Sequence, residues 1–132
     1  MNAVNVYRQM QTHTAPPAEL VVMLYRGAAR FAATAAAALE SNDLELAHND
    51  LVRTQAIVGE LAGTLDIERG GNVAQNLMLV YDYLTRRLIE ANVRKDPVIA
   101  REVERLLRDL LSAWEVAARE ASSAFIPAIR AA

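Results

Sequence analysis

Between Leu44 and Ala91 apolar side chains recur at alternating steps of three and four residues, and a Gly-Gly pair interrupts the pattern once. The first series runs Leu44, Ala47, Leu51, Thr54, Val58, Leu61, Leu65; the second runs Val73, Leu77, Val80, Leu84, Leu88, Ala91. Such spacing keeps side chains on one helix face, so the stretch predicts a helical hairpin with a turn at Gly70-Gly71. Neither stripe can be buried by its partner alone. Two further helices must close the core, and the flanking sequence holds two of suitable length.

A chain of 132 residues is about one domain. Its apolar share of 53% comes largely from Ala, Leu and Val, with only 5% aromatic residues, a mixture that favours helices over strands. Cysteine is absent, which removes disulfides, thiol catalysis and Cys-ligated metals. A net charge of −2 offers no general attraction to phosphate backbones, so no nucleic-acid partner is expected. No apolar run approaches a membrane span, and MNAVNVYRQMQ lacks a basic region followed by an apolar one. The expectation is a soluble, cytoplasmic chain without membrane insertion.

Residues 1–15 read as an N-terminal arm that is mobile and carries a few apolar side chains, among them Tyr7 and Met10. Pro16-Pro17 stops an incoming helix and starts the next, since Pro17 at the first helical position gives up no needed N–H. The first helix runs to about Glu40, with Leu20, Met23, Leu24, Gly27, Phe31, Ala35 and Ala38 assigned to its core face. Val21, Val22, Tyr25, Ala29, Ala32, Ala33 and Ala36 then fall on the other side, which carries few charges and would let another helix approach closely. Asn42 with Glu45, and Asn72 with Gln75, resemble capping boxes that start the second and third helices near Asp43 and Asn72. Asp96-Pro97 starts the fourth, which carries Ile99, Val103, Leu107 and Trp114 inward and is ended by Pro127. Short connections imply antiparallel neighbours. The predicted architecture is an all-α, up-down-up-down four-helix bundle over 16–126, with a C-terminal tail at 127–132.

Chemistry is sparse. Glu45 and His48 have the Glu-x-x-His spacing of carboxylate-bridged di-metal bundles, but one copy is half a site, and the first and third helices bring no Glu to complete it. His48 also lies off the centre of its helix's buried stripe and reads as a shoulder histidine. Gly70-Gly71 lacks the preceding strand of a phosphate loop. Neither a catalytic centre nor a metal or cofactor is expected. Apolar surface, by contrast, is in excess: Met78, Tyr81 and Ile89 flank one side of the third helix's stripe, Leu79 and Tyr83 the other, and the second helix adds Leu46 and Ile57. A contiguous patch of this kind marks a partner site suited to an amphipathic helix.

Several motifs in order resemble a known family. They are Tyr7 in an arm ending Thr14-Ala15-Pro16-Pro17, Glu19-Leu20, Met23-Leu24-Tyr25-Arg26-Gly27-Ala28, Gln55-Ala56-Ile57-Val58, Glu60-Leu61, Leu65-Asp66 before Gly70-Gly71, Asn76-Leu77, Tyr81-Asp82-Tyr83-Leu84, Ala91-Asn92 and Trp114. The chain resembles the flagellin-specific export chaperones of the FliS family from Tyr7 to about Trp114. The resemblance implies a cytoplasmic helical bundle that binds the disordered C-terminal segment of flagellin in hydrophobic grooves, prevents premature polymerisation and aids export. It adds export-gate components and a co-chaperone as further partners. Carried over to matching positions, it implies partner contacts at Tyr7, Met10, Tyr25, Gln55, Ile57, Leu61, Leu65, Leu77, Tyr81 and Tyr83; Leu61 and Leu77 also fit core positions. This chain has Pro16 where the family usually offers Ser or Thr, and Arg26 where it usually has an acid. An adaptor for another secretion or regulatory protein, or a metal-binding bundle using Glu45 and His48, are the alternatives.

Overall fold

Four helices account for nearly all of the 104 consecutive residues from Pro17 to Glu120: α1 Pro17–Glu40, α2 Leu44–Gly63, α3 Ile67–Arg94 and α4 Pro97–Arg119. A short 3-10 turn, Ile126–Ala128, follows. These come from a computed structural model that describes residues 17–120 and 126–129; the arm assigned to 1–15, with Tyr7 and Met10, lies outside them. Each helix packs against its sequence neighbours, and α4 closes the ring on α1. Cross-helix pairs fix the directions. Arg26 near the start of α1 meets Glu115 near the end of α4, Glu40 meets Arg101, and His48 meets Asn92. The result is the up-down-up-down bundle that the short connections imply.

The helix starts follow side-chain capping, displaced from the expected residues at α2 and α3. Asn42 adopts a left-handed φ of 61°, which turns the chain after α1 and leaves Asp43 to cap α2 by accepting from the Leu46 N–H. Asp66, not Asn72, caps α3, because residues 67–70 are already helical when the chain reaches the Gly-Gly pair. Gly71 then takes φ 52° and ψ −128°, so the pair is a kink inside one helix and not the expected connection. A side chain other than Gly would be strained there. Lys95 at φ 52° ends α3, and Asp96 with Pro97 starts α4 as expected, its carboxylate accepting from the Val98 N–H.

The stripes of α2, α3 and α4 are buried largely as read: Ala47, Leu51, Thr54, Val58, Leu61 and Leu65 from the first series, Leu77, Leu84, Leu88 and Ala91 from the second, and Ile99, Val103, Leu107 and Trp114 from α4. Leu44, at the start of α2, is exposed. The assignment for α1 is corrected. Val21, Val22, Tyr25, Ala29, Ala32 and Ala36 are buried along with Leu20, Ala35 and Ala38, whereas Met23 is exposed and Leu24, Gly27 and Phe31 are half-buried. Helix α1 packs against α2 and α4 more extensively than any other pair, so it is covered on two sides. Small residues win these positions because two neighbouring backbones approach there together. Ala18–Glu40 is long and apolar enough to cross a membrane, contrary to the expectation from sequence; half of that stretch is buried inside the bundle.

Polar groups inside this core are paired. The buried Asp50 carboxylate accepts from Thr34 Oγ1 at 2.6 Å and from Arg53 at 2.9 Å, tying α2 to α1. At the bundle centre the hydroxyls of Tyr25 and Tyr81 lie 2.5 Å apart, and the Tyr25 ring stacks on Trp114 with centroids 6.1 Å apart. Three helices therefore meet at one aromatic cluster. Burial pushes the Tyr25 phenol up to about 12, with hydrogen bonds from Tyr81 and Trp114 opposing the shift.

Two outcomes follow from this packing. Ala32→Leu inserts three carbons between α1 and its neighbours, and overpacking of this kind should lower the unfolding free energy measured in urea by about 1–3 kcal/mol. Because the folded pKa of Tyr25 exceeds its ordinary 10.0, the folded state holds more protons than the unfolded one between these values, and stability falls as pH rises through them. Urea midpoints should be flat below pH about 10 and drop towards pH about 12, with a shallower drop in Tyr25→Phe.

Candidate functional site

On α2 the stripe His48, Val52, Gln55, Gly59 advances by four, three and four residues, and on α3 the stripe Met78, Asp82, Thr85, Ile89, Asn92 does the same. Both lie beside the seam where the two helices meet, as the hydrogen bond from the Asn92 amide to His48 Nδ1, 2.9 Å, shows at one end. Val52 and Ile89 are exposed there. Open space lies above Gly59 and Gly63, where a Cβ would meet nothing within 4 Å. The seam is thus a shallow groove that opens at Gly59 and Gly63, with His48, Val52 and Gln55 along the rest of its α2 wall and Met78 and Ile89 on its α3 wall.

Further round α3, the face directed away from the bundle carries Leu79 (66% exposed), Val93 (78%), Ile89 (46%) and Tyr83 (38%). These four sit at steps of four, six and four residues, so they share one broad side of the helix. Asn72, Gln75, Asn76, Asp82, Arg86 and Glu90 lie among them and keep the side wettable. Leu46 on α2 is also exposed, and Met78 and Ile57 are half-buried. The surplus of apolar surface expected on α2 and α3 is present, apart from Tyr81, which is buried.

The named candidates divide accordingly. Tyr25, Leu61, Leu65, Leu77 and Tyr81 are all buried in the bundle or at its end. They do not line an open surface: Tyr25 and Tyr81 bond to each other, Leu61 and Leu77 fill the α2 and α3 stripes, and Leu65 pairs with Ile129. Gln55, Ile57 and Tyr83 retain accessible surface, on three different seams. Gln55 faces the α2–α3 groove. Ile57 lies on the α1 side of α2, its Cδ1 at 3.4 Å from the Cβ position of Gly27. Tyr83 sits towards α4, where its hydroxyl donates to Glu102. Val52 and Val93 were not singled out; an isolated apolar residue on a polar helix face carries no periodic signal.

Charge frames the α3–α4 side. Arg87 bonds Glu102 at 2.6 Å and Glu90 at 2.6 Å, and Arg94 reaches Glu90 at 2.9 Å. Arg87, and then the Tyr83 hydroxyl, hold the Glu102 carboxyl below its usual value, while the same carboxylate pushes the Tyr83 phenol up. Glu90 is lowered chiefly by Arg94. These are solvent-screened pairs that order side chains more than they stabilise the fold. On the far side of the bundle Arg26 and Glu115, 3.0 Å apart, form part of the wall of a cleft of about 360 Å³ lined also by Glu19, Val22, Met23, Ala118 and Arg119. Arg26 therefore has an acidic partner on α4. His48 is exposed and engaged by Asn92, as a shoulder histidine would be. Among the described residues no group of three or more His, Asp or Glu is placed to hold a metal ion.

Comparison with known proteins bears on the whole chain. The family described as flagellar protein FliS matches residues 1–121. The flagellar secretion chaperone FliS of Bacillus subtilis is 37% identical over 116 residues, covering 88% of this chain and 86% of that protein. The flagellar secretion chaperone FliS of Campylobacter jejuni is 38% identical over 112 residues, 85% of this chain and 88% of its own length. That of Salmonella typhimurium is 34% identical over 126 residues, 92% and 93% of the two chains. With its ring of four antiparallel helices and these matches along most of its length, the chain belongs to the FliS family of flagellar secretion chaperones.

Proposed function

We propose that this chain binds the disordered C-terminal segment of flagellin before export and keeps it from polymerising in the cytoplasm. One observation carries the reading: the bundle completes its core without Leu79, Ile89, Val93 and Val52, which remain exposed on α3 and along the α2–α3 groove. Exposed apolar side chains spread along one broad side of a helix complement a partner that becomes helical on binding. Gln55, Ile57 and Tyr83 contribute from the rims. Tyr25, Leu61, Leu65, Leu77 and Tyr81 act from beneath, by fixing the spacing of the helices that carry the surface. Ordering the flagellin segment consumes part of the interaction free energy, so a large contact area remains compatible with release at the export gate. On the outer side of α4 the exposed Arg105 is the candidate contact for export-gate components or a co-chaperone, beside Arg101 and Arg108, which are already paired with Glu40 and Glu104.

Titration of the purified chain with full-length flagellin and with flagellin lacking its C-terminal segment tests the proposal. Binding should be lost with the segment; equal affinity for both forms would remove the reading. Leu79→Asp and Ile89→Asp should each weaken binding by about tenfold or more, a loss of at least ~1.4 kcal/mol, while circular dichroism and the urea midpoint stay close to the parent. Tyr81→Asp should instead unfold the bundle, because it places a carboxylate against Tyr25 in the core.

A further inference from the structure

Down the middle of the outer face of α3 the exposed residues Gln75, Leu79, Asp82, Arg86, Ile89 and Val93 follow one another at steps of four, three, four, three and four. This is the 3.5-residue spacing of a helix–helix seam, with apolar side chains towards both ends and one acid and one base at the centre. The two central charges differ from their neighbours. Arg87, Glu90 and Arg94 are paired within the chain, whereas among the described residues neither Asp82 nor Arg86 makes an ion pair or a side-chain hydrogen bond.

Such a stripe is complementary to its own reversal. With a second copy laid antiparallel about a twofold axis midway between Asp82 and Arg86, Asp82 of each copy faces Arg86 of the other and Leu79 faces Ile89. Gln75 and Val93 meet at the two ends. The same ion pair forms twice, as a twofold contact requires. Charge disfavours the other arrangements. Parallel packing opposes Asp82 to Asp82 and Arg86 to Arg86, and an antiparallel shift by one heptad sets Asp82 against Leu79 or Val93, a carboxylate against an apolar side chain.

We propose that two copies of the chain pair antiparallel through this stripe, held in register by the reciprocal Asp82–Arg86 contacts, and that the pairing covers Leu79, Ile89 and Val93 until the flagellin segment takes the second copy's place. The covering role rests on the functional reading above; the pairing rests on the stripe. A single seam about 27 Å long falls short of the roughly 800 Å² per partner of a standard stable interface, so the pair is weak and yields to a client that reaches the same side chains.

Sedimentation equilibrium of the full chain between about 10 µM and about 1 mM should show monomer and dimer in exchange. Asp82→Arg and Arg86→Asp should each weaken self-association by about tenfold or more, because each opposes like charges across the axis, with circular dichroism unchanged at these exposed positions. An equimolar mixture of the two variants should recover the parent's association, since each then meets the charge that its own copy lacks. A chain that stays monomeric throughout, a dimer indifferent to both variants, or variants that remain apart in the mixture overturns the pairing, while parent binding to flagellin leaves the functional reading intact. Full-length flagellin should give a complex holding one copy of the chain; a complex that keeps the pair overturns the covering role. A parent that dimerises as described yet fails to bind flagellin removes the functional reading and supports the pairing.

Discussion

Close approach of α1 to both α2 and α4 is the constraint from which the rest of the bundle follows. Ala28, Ala29, Ala32, Ala35 and Ala36 are all buried on this one helix. A methyl group adds little to the separation of two backbones, so a helix lined with alanine can contact two neighbours at once. Long apolar side chains on those faces would push α2 and α4 apart and open the ring. Met23 is accordingly displaced to the surface, and half-buried Phe31 lies under the guanidinium groups of Arg30 and Arg53, at 5.5 and 5.7 Å.

The same arrangement determines where apolar surface is left over. Helix α1 draws α2 and α4 towards itself, and α3 closes the far side with thinner contacts to both neighbours. Its inner stripe, centred on Leu77, Tyr81, Leu84 and Leu88, is enough to seal the core. The Tyr25–Tyr81 bond reaches across to it from α1 and sets its height and rotation, since a hydroxyl pair satisfies both groups only at one register. Once the rotation is set, Leu79, Ile89 and Val93 have no place but the outside. The exposed face of α3 is thus a consequence of the buried aromatic cluster.

Three of the four helices were legible because their polar and apolar residues alternate at helical period. Charges on α4, such as Arg101, Glu104, Arg105 and Arg108, leave a single direction for Ile99, Val103 and Leu107 to face. Helix α1 offers no such contrast: with alanine nearly all round, periodicity says that it is a helix and not which way it is turned. The misassigned rotation of α1 carried Tyr25 with it. Tyr81 was misread for a related reason, since a tyrosine on the shoulder of a stripe fits equally a wet rim or a core with a hydroxyl partner, and the partner, Tyr25, is 56 positions away. Two caps were missed, that of α2 by one residue and that of α3 by six, where a left-handed Asn42 and a glycine kink at Gly71 shifted the chain, and neither conformation is dictated by local sequence alone. Nothing in the sequence IPAI separates a tail from a packed segment, because the groups that bury Ala128 and Ile129 are Leu65, Asp66 and Gly70.

A surface made of surplus residues differs in kind from a pre-shaped pocket. The exposed apolar side chains of α3 alternate with Asp82, Arg86 and Glu90, so the free chain presents separated apolar points, each flanked by water-binding groups. A rigid folded partner would have to match every polar group on that face or lose the hydration it displaces. A segment that folds as it binds can adjust its helical phase to meet the apolar points and leave the charges at the rim, where Arg87, Glu90, Arg94 and Glu102 are already paired with one another. Pairing within the chaperone keeps those charges from demanding specific partners on the client. Under the proposed function the surface suits a client with little structure of its own, and the exposure behind that fit traces to how α1 uses alanine to draw α2 and α4 together.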